Sequence, residues 1–113
     1  MSMISYEGIG GVVATAYVYG VEKPGDVVCI LDNDAVGPCE DGELFCGVAL
    51  KMSGGMASVQ MKGFVRVPFT GEVELGWMKL VANGEGGVRP GETGLQVLVT
   101  QVDFDEQTAM ICL

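Results

Sequence analysis

Apolar and polar positions alternate along most of this chain, and glycine or proline interrupts the alternation every 8–12 residues. A period of two puts successive side chains on opposite faces, which is the mark of a half-buried strand. Val12 to Tyr19 is the first such run: Val13, Thr15, Tyr17 and Tyr19 share one face, and Ala14, Ala16 and Val18 the other. After Pro24-Gly25, Val27 to Leu31 is wholly apolar, as a strand buried on both sides requires. Short strands are predicted over Val36 to Pro38 and Gly47 to Met52, and Ser53-Gly54-Gly55 then makes a hairpin turn. The longest alternation is Ala57 to Val67, with Val59, Met61, Val65 and Val67 facing inward and Ser58, Gln60, Lys62 and Arg66 facing water. Gly63 in its middle marks a bulge or sharp bend. Further strands are predicted over Trp77 to Val81, Leu95 to Asp103 and Thr108 to Leu113. No window carries a capped helical stripe.

These elements define an all-β fold, a small single-domain β-barrel or compact sandwich. A weak internal echo runs at an offset of 52 residues: Val36 matches Val88, Gly42 matches Gly94, and Ala57, Val59 and Met61 match Ala109, Ile111 and Leu113. Two similar half-units would close together into one barrel and so remove open edges. Chance similarity among glycine- and valine-rich strands is the rival explanation. Residues 12–113 form the barrel domain in this reading. Residues 1–11 do not fit the pattern and are expected to form a flexible N-terminal arm carrying Ile4, Tyr6 and Ile9 as candidate contacts.

Composition narrows the function. A chain of 113 residues can bury one ordinary core. The net charge is −9, which disfavours nucleic acid and anionic membrane surfaces, because both need clustered lysine and arginine. The charge is uneven. Residues 1–50 hold eight acids and one lysine, whereas residues 51–80 hold Lys51, Lys62, Arg66 and Lys79 against Glu72 and Glu74. That basic stretch suits an acidic neighbour, including another copy of the chain. No apolar run is long enough to span a membrane, and the first residues lack the basic and apolar regions of a signal peptide. The expectation is residence in a cytoplasm, with Cys29, Cys39, Cys46 and Cys112 reduced and packed as small apolar residues.

Reactive chemistry is hard to place. There is no histidine to serve as a base or metal ligand, and no C-x-x-C pair. Asp32, Asp34, Gly37, Glu40 and Glu43 fall at positions 1, 3, 6, 9 and 12 of a calcium loop. Val36 at position 5 offers no side-chain oxygen, and the flanks read as strands, so a solvated acidic loop is expected. The glycines between Asn83 and Gly87 lack the spacing of a phosphate-binding loop. No catalytic residue, metal ligand or cofactor site is assigned. Trp77, at the head of a strand, is expected to be a core or interface anchor. Seven methionines can fill core gaps or supply an adaptable surface.

One succession of residues resembles a known family. Pro24-Gly25-Asp26-Val27-Val28 is followed by Val36-Gly37, Gly42 and Phe45-Cys46-Gly47-Val48-Ala49-Leu50. Then come Ala57-Ser58-Val59-Gln60-Met61-Lys62-Gly63-Phe64-Val65, Gly76-Trp77 and Leu98-Val99. This order, over residues 20–113, resembles the small phage and prophage proteins that decorate capsids, also called cement or head-stabilising proteins. The resemblance implies a non-catalytic β-barrel on the capsid exterior, made in the bacterial host cytoplasm before assembly. It implies a homo-oligomer, with trimers the common form, and the capsid protein as partner. It also implies that the N-terminal arm can add a strand to the capsid sheet. The alternative function is a small ligand- or peptide-binding β-barrel module, of bacterial or prophage origin, with a pocket at Trp77.

Overall fold

Ten strands and no helix make up residues 11–21 and 23–113, which are the residues that the computed structural model describes. The predicted contacts Ile4, Tyr6 and Ile9 lie outside them. In chain order the strands are β1 (Val12–Val18), β2 (Val27–Asp32), β3 (Ala35–Pro38), β4 (Gly47–Ser53) and β5 (Met56–Lys62). They continue as β6 (Phe64–Pro68), β7 (Gly76–Ala82), β8 (Val88–Pro90), β9 (Leu95–Asp103) and β10 (Thr108–Cys112).

The first five strands close on themselves as a barrel in the order β1-β3-β2-β4-β5. The second five form a sheet in the order β6-β10-β9-β7-β8. Strand for strand, the second half repeats the first. The antiparallel pairs β1–β5, β5–β4, β4–β2 and β2–β3 correspond to β6–β10, β10–β9, β9–β7 and β7–β8. The parallel ladder that closes the barrel, Tyr17↔Ala35 and Val18↔Val36 between β1 and β3, is reduced in the second half to one parallel bridge, Phe69↔Val88. The internal echo is therefore a structural repeat. It differs from the expectation in one respect: the two halves do not share one barrel, because the first half is already closed by its own strands.

Burial follows the same division. Val28, Val36, Ala49, Ala57 and Val59 fill the barrel interior. A second cluster joins Val65, Val67, Leu80, Val97, Val99 and Ile111 of the second half to Val27, Phe45 and Val48 of the first. Neighbours Val27 and Val28 thus point into different cores, which is why β2 begins as an unbroken apolar run. Each fully buried Val, Leu or Phe contributes about 1.5–3 kcal/mol relative to exposure.

The halves meet where β5 passes into β6. Gly63 takes φ +100, and a Cβ there would lie 2.9 Å from Gly11 Cα, so only glycine suits both the turn and the approach. The predicted run Ala57 to Val67 is accordingly two strands with a break at Gly63. Gln60, expected on the wet face, is 8% exposed. Its Nε2 donates to the carbonyls of Lys62 (3.1 Å) and Phe64 (2.9 Å), on both sides of the break. The alternation was right about the face, but that face is covered by the other half.

The cysteines also depart from expectation. Cys29 and Cys39 form a disulfide, with Cα atoms 5.3 Å apart, and both are buried in the cluster between the halves. The antiparallel pairing of β2 with β3 brings the two within bonding reach, a geometric fact that an argument from compartment could not supply. Cys46 and Cys112 remain thiols, half-buried rather than fully packed.

Candidate interaction face

Trp77 is not a core residue. It is 67% exposed, and it ends a cross-strand row on the outer face of the second sheet. The pairings Phe64↔Cys112, Cys112↔Leu98 and Leu98↔Trp77 place one residue from each of β6, β10, β9 and β7 side by side. Directly paired residues share a face, so the four side chains make a continuous apolar strip. Phe64, Leu98 and Cys112 are half-buried and Trp77 stands proud of them. Leu75, two residues before Trp77, is also exposed.

Polar rows flank the strip. On one side Lys79 pairs with Gln96. On the other Arg66 pairs with Met110, and Met110 with Gln101. Arg66 is held in place by its own neighbours: its guanidinium donates to Thr108 Oγ1 at 3.2 Å and to Gln101 Oε1. Lys79 and Arg66 are thus set at the edges of the strip, and Arg66 also lines a surface hollow with the acids Asp103, Asp105 and Glu106. An aromatic anchor, an apolar strip and fixed cations on a rigid sheet are the parts of a protein-binding surface.

The acidic segment has a different organisation. Asp32, Asn33 and Asp34 form the β2–β3 hairpin turn, whereas Glu40, Asp41 and Glu43 lie in the loop that leads to β4. Two of the carboxylates serve the local backbone. Asp32 Oδ1 accepts from Asn33 N at 2.7 Å, and Glu43 Oε1 accepts from Glu40 N at 2.7 Å. Asp41 pairs with Arg89 of β8 at 2.7 Å, a tether from the first half to the second. The Arg89 hydrogen bond and charge hold the Asp41 carboxyl below the ordinary carboxylate range. Among the described residues, no group of three or more His, Cys, Asp or Glu side chains is arranged to hold a metal ion.

A cleft of about 340 Å³ opens at the seam, lined by Phe45, Cys46, Met61, Leu95, Val97 and Leu113 among others. Burial pushes the Cys46 thiol above its ordinary pKa, which makes it a poor nucleophile. Trp77 does not line this cleft.

The sequence singled out Trp77 but not its companions. Phe64, Leu98 and Cys112 are far apart in the chain and come together only through register. The odd spacing of aromatic and apolar residues on otherwise wet faces was the available signal. No protein-family model matches the chain, and no curated protein matches it significantly.

Proposed function

We propose that this is a structural protein of a phage or prophage, which decorates and stabilises the exterior of a capsid without catalysing a reaction. It would work through surface contacts, with copies of itself and with the capsid protein. The observation that carries the reading is the Trp77 face: an exposed apolar strip with flanking cations, set on a rigid sheet rather than on a loop. The resemblance over residues 20–113 supplies the setting, and the strand repeat supplies a scaffold suited to mechanical work. The two β units meet at a buried cluster, the Cys29–Cys39 disulfide staples the first unit's hairpin beside it, and the surface Asp41–Arg89 pair links the units.

The test is cosedimentation with shells assembled from a major head protein whose gene neighbours this one; a gene neighbourhood without such a protein would itself count against the reading. Saturable binding to expanded shells, with raised resistance of those shells to heat, is the expected result. Failure to bind matched shells, or binding with no change in their stability, would overturn the reading.

A further inference from the structure

Away from the Gly63 junction, one loop does much to fasten the halves together. Residues 39–46 leave β3, cross to the second half and return to β4. Gly42 N donates to Ala82 O and Ala82 N donates to Glu43 O, both at 2.8 Å. Asp41 adds its ion pair with Arg89. A Cβ on Gly84 would fall 3.2 Å from Asp41 Cβ, so the loop lies against the end of β7 and the turn after it. Phe45, 2% exposed, sets the other end of the loop in the cluster between the halves. Another backbone bond crosses the seam from β2: Val27 N donates to Gly86 O at 2.9 Å.

The Cys29–Cys39 disulfide stands at the root of these contacts. Cys39 opens the loop, and Cys29 lies two residues after Val27 on β2. The bond therefore pins the start of the loop to the strand that also crosses the seam. With it formed, opening residues 40–45 frees a short span fixed at both ends. Without it, Cys39 moves with the loop, and opening gains more chain entropy.

The site also suits the two thiols. Leu44 O lies 3.3 Å from Cys29 Sγ. A disulfide sulfur has no hydrogen to offer that carbonyl, whereas a thiol does. Cys39 as a thiol is a small apolar residue within an apolar cluster that includes Ala82 and Val88 of the second half. Reduction thus unpins the loop without leaving a misfit in the core.

We infer that Cys29 and Cys39 form a redox-controlled clamp on the seam, closed as the disulfide and released as two thiols with the fold kept. Closing makes one S–S bond and gives up two protons and two electrons. A low-molecular-mass disulfide such as oxidised glutathione takes them up and leaves as two thiols. Opening is the reverse: one small thiolate attacks to give a mixed disulfide, and a second thiol displaces it. A reducing compartment keeps the clamp open, and departure from one closes it. The clamp belongs to the chain alone and does not depend on the capsid reading.

Hydrogen exchange on the full chain tests it, with the oxidised protein prepared in oxidised glutathione and the reduced one in dithiothreitol. Peptide mass mapping of the oxidised protein should find Cys29 joined to Cys39. No bond, or either cysteine joined to Cys46 or Cys112, would overturn the inference. In the oxidised protein, the amides of Val27, Gly42 and Ala82 should exchange with those of Ala49 in the barrel and Phe69 in the second half, through one common opening. In the reduced protein the seam amides should leave that group. They should exchange roughly tenfold or more faster than Ala49 and Phe69, with little dependence on added urea, as a local opening requires. Circular dichroism of the reduced chain should match the oxidised one. Seam amides that stay with Ala49 and Phe69 in both states would overturn the inference, and so would a reduced chain that unfolds as a whole, since the bond would then be a staple of the entire fold.

Discussion

At the residue scale, Gln60 and Gly63 control the junction between the halves. The Gln60 side chain reaches across the break and gives Lys62 and Phe64 a donor each. Gln60→Leu would keep the volume and leave both carbonyls without that donor. The expected cost is about 1–3 kcal/mol, read as a lower urea midpoint at unchanged slope. Gly63→Ala combines a positive φ with a close approach to Gly11 and is expected to cost a similar roughly 1–3 kcal/mol. The Asp41–Arg89 pair gives a pH signature. Because the folded carboxyl has a lowered pKa, the unfolded chain binds more protons in the window just below the ordinary carboxylate value. The pair's contribution is therefore complete above about pH 4 and is lost as pH falls through the folded value. Asp41→Asn should flatten this acid limb in a pH series of thermal melts and change neutral stability little, since the pair is exposed. Gln60 shows the limit of reading single residues from the sequence. Alternation assigned its face correctly, but nothing local reports that another half of the molecule covers that face.

At the element scale, alternation and glycine punctuation were nearly sufficient. Val12–Val18, Gly47–Ser53 and Leu95–Asp103 lie where the period of two and the turn residues place them. The apolar run Val27 to Leu31 was legible as a strand, but it is buried on both sides only over Val27, Val28 and Cys29, while Ile30 and Leu31 are exposed. The disulfide was not legible, because ten residues of separation allow many loops and only the β2–β3 pairing turns them into proximity. It cross-links that hairpin beneath the loop carrying Phe45. Replacing Cys29 and Cys39 together by alanine should cost roughly 2–3 kcal/mol for a loop of this length. Thermal melts of the wild type with and without reductant should differ by a comparable shift, and the double variant should be insensitive to reductant.

At the scale of the whole molecule, a faint echo in the sequence turned out to be a repeat of five strands with the same pairing. Its match of Ala57, Val59 and Met61 to Ala109, Ile111 and Leu113 was readable because all six lie on inward faces. How the copies combine was not readable. Closure depends on the β1–β3 ladder against the single Phe69↔Val88 bridge, a difference of a few parallel pairings that composition does not record. The consequence for function lies in the asymmetry between the halves. On the outer face of the barrel Gln60, Val48 and Val27 are buried by the second half, whereas Trp77, on the outer face of the second sheet, is exposed. An external structural role gives that exposed row neighbours. The most direct measurement is electron cryomicroscopy of matched capsid shells saturated with the protein. The account expects ordered density for the double-unit fold on the outer surface, with the Trp77 row buried against a neighbouring chain. Shells left bare, or bound protein whose Trp77 row faces solvent, would contradict it.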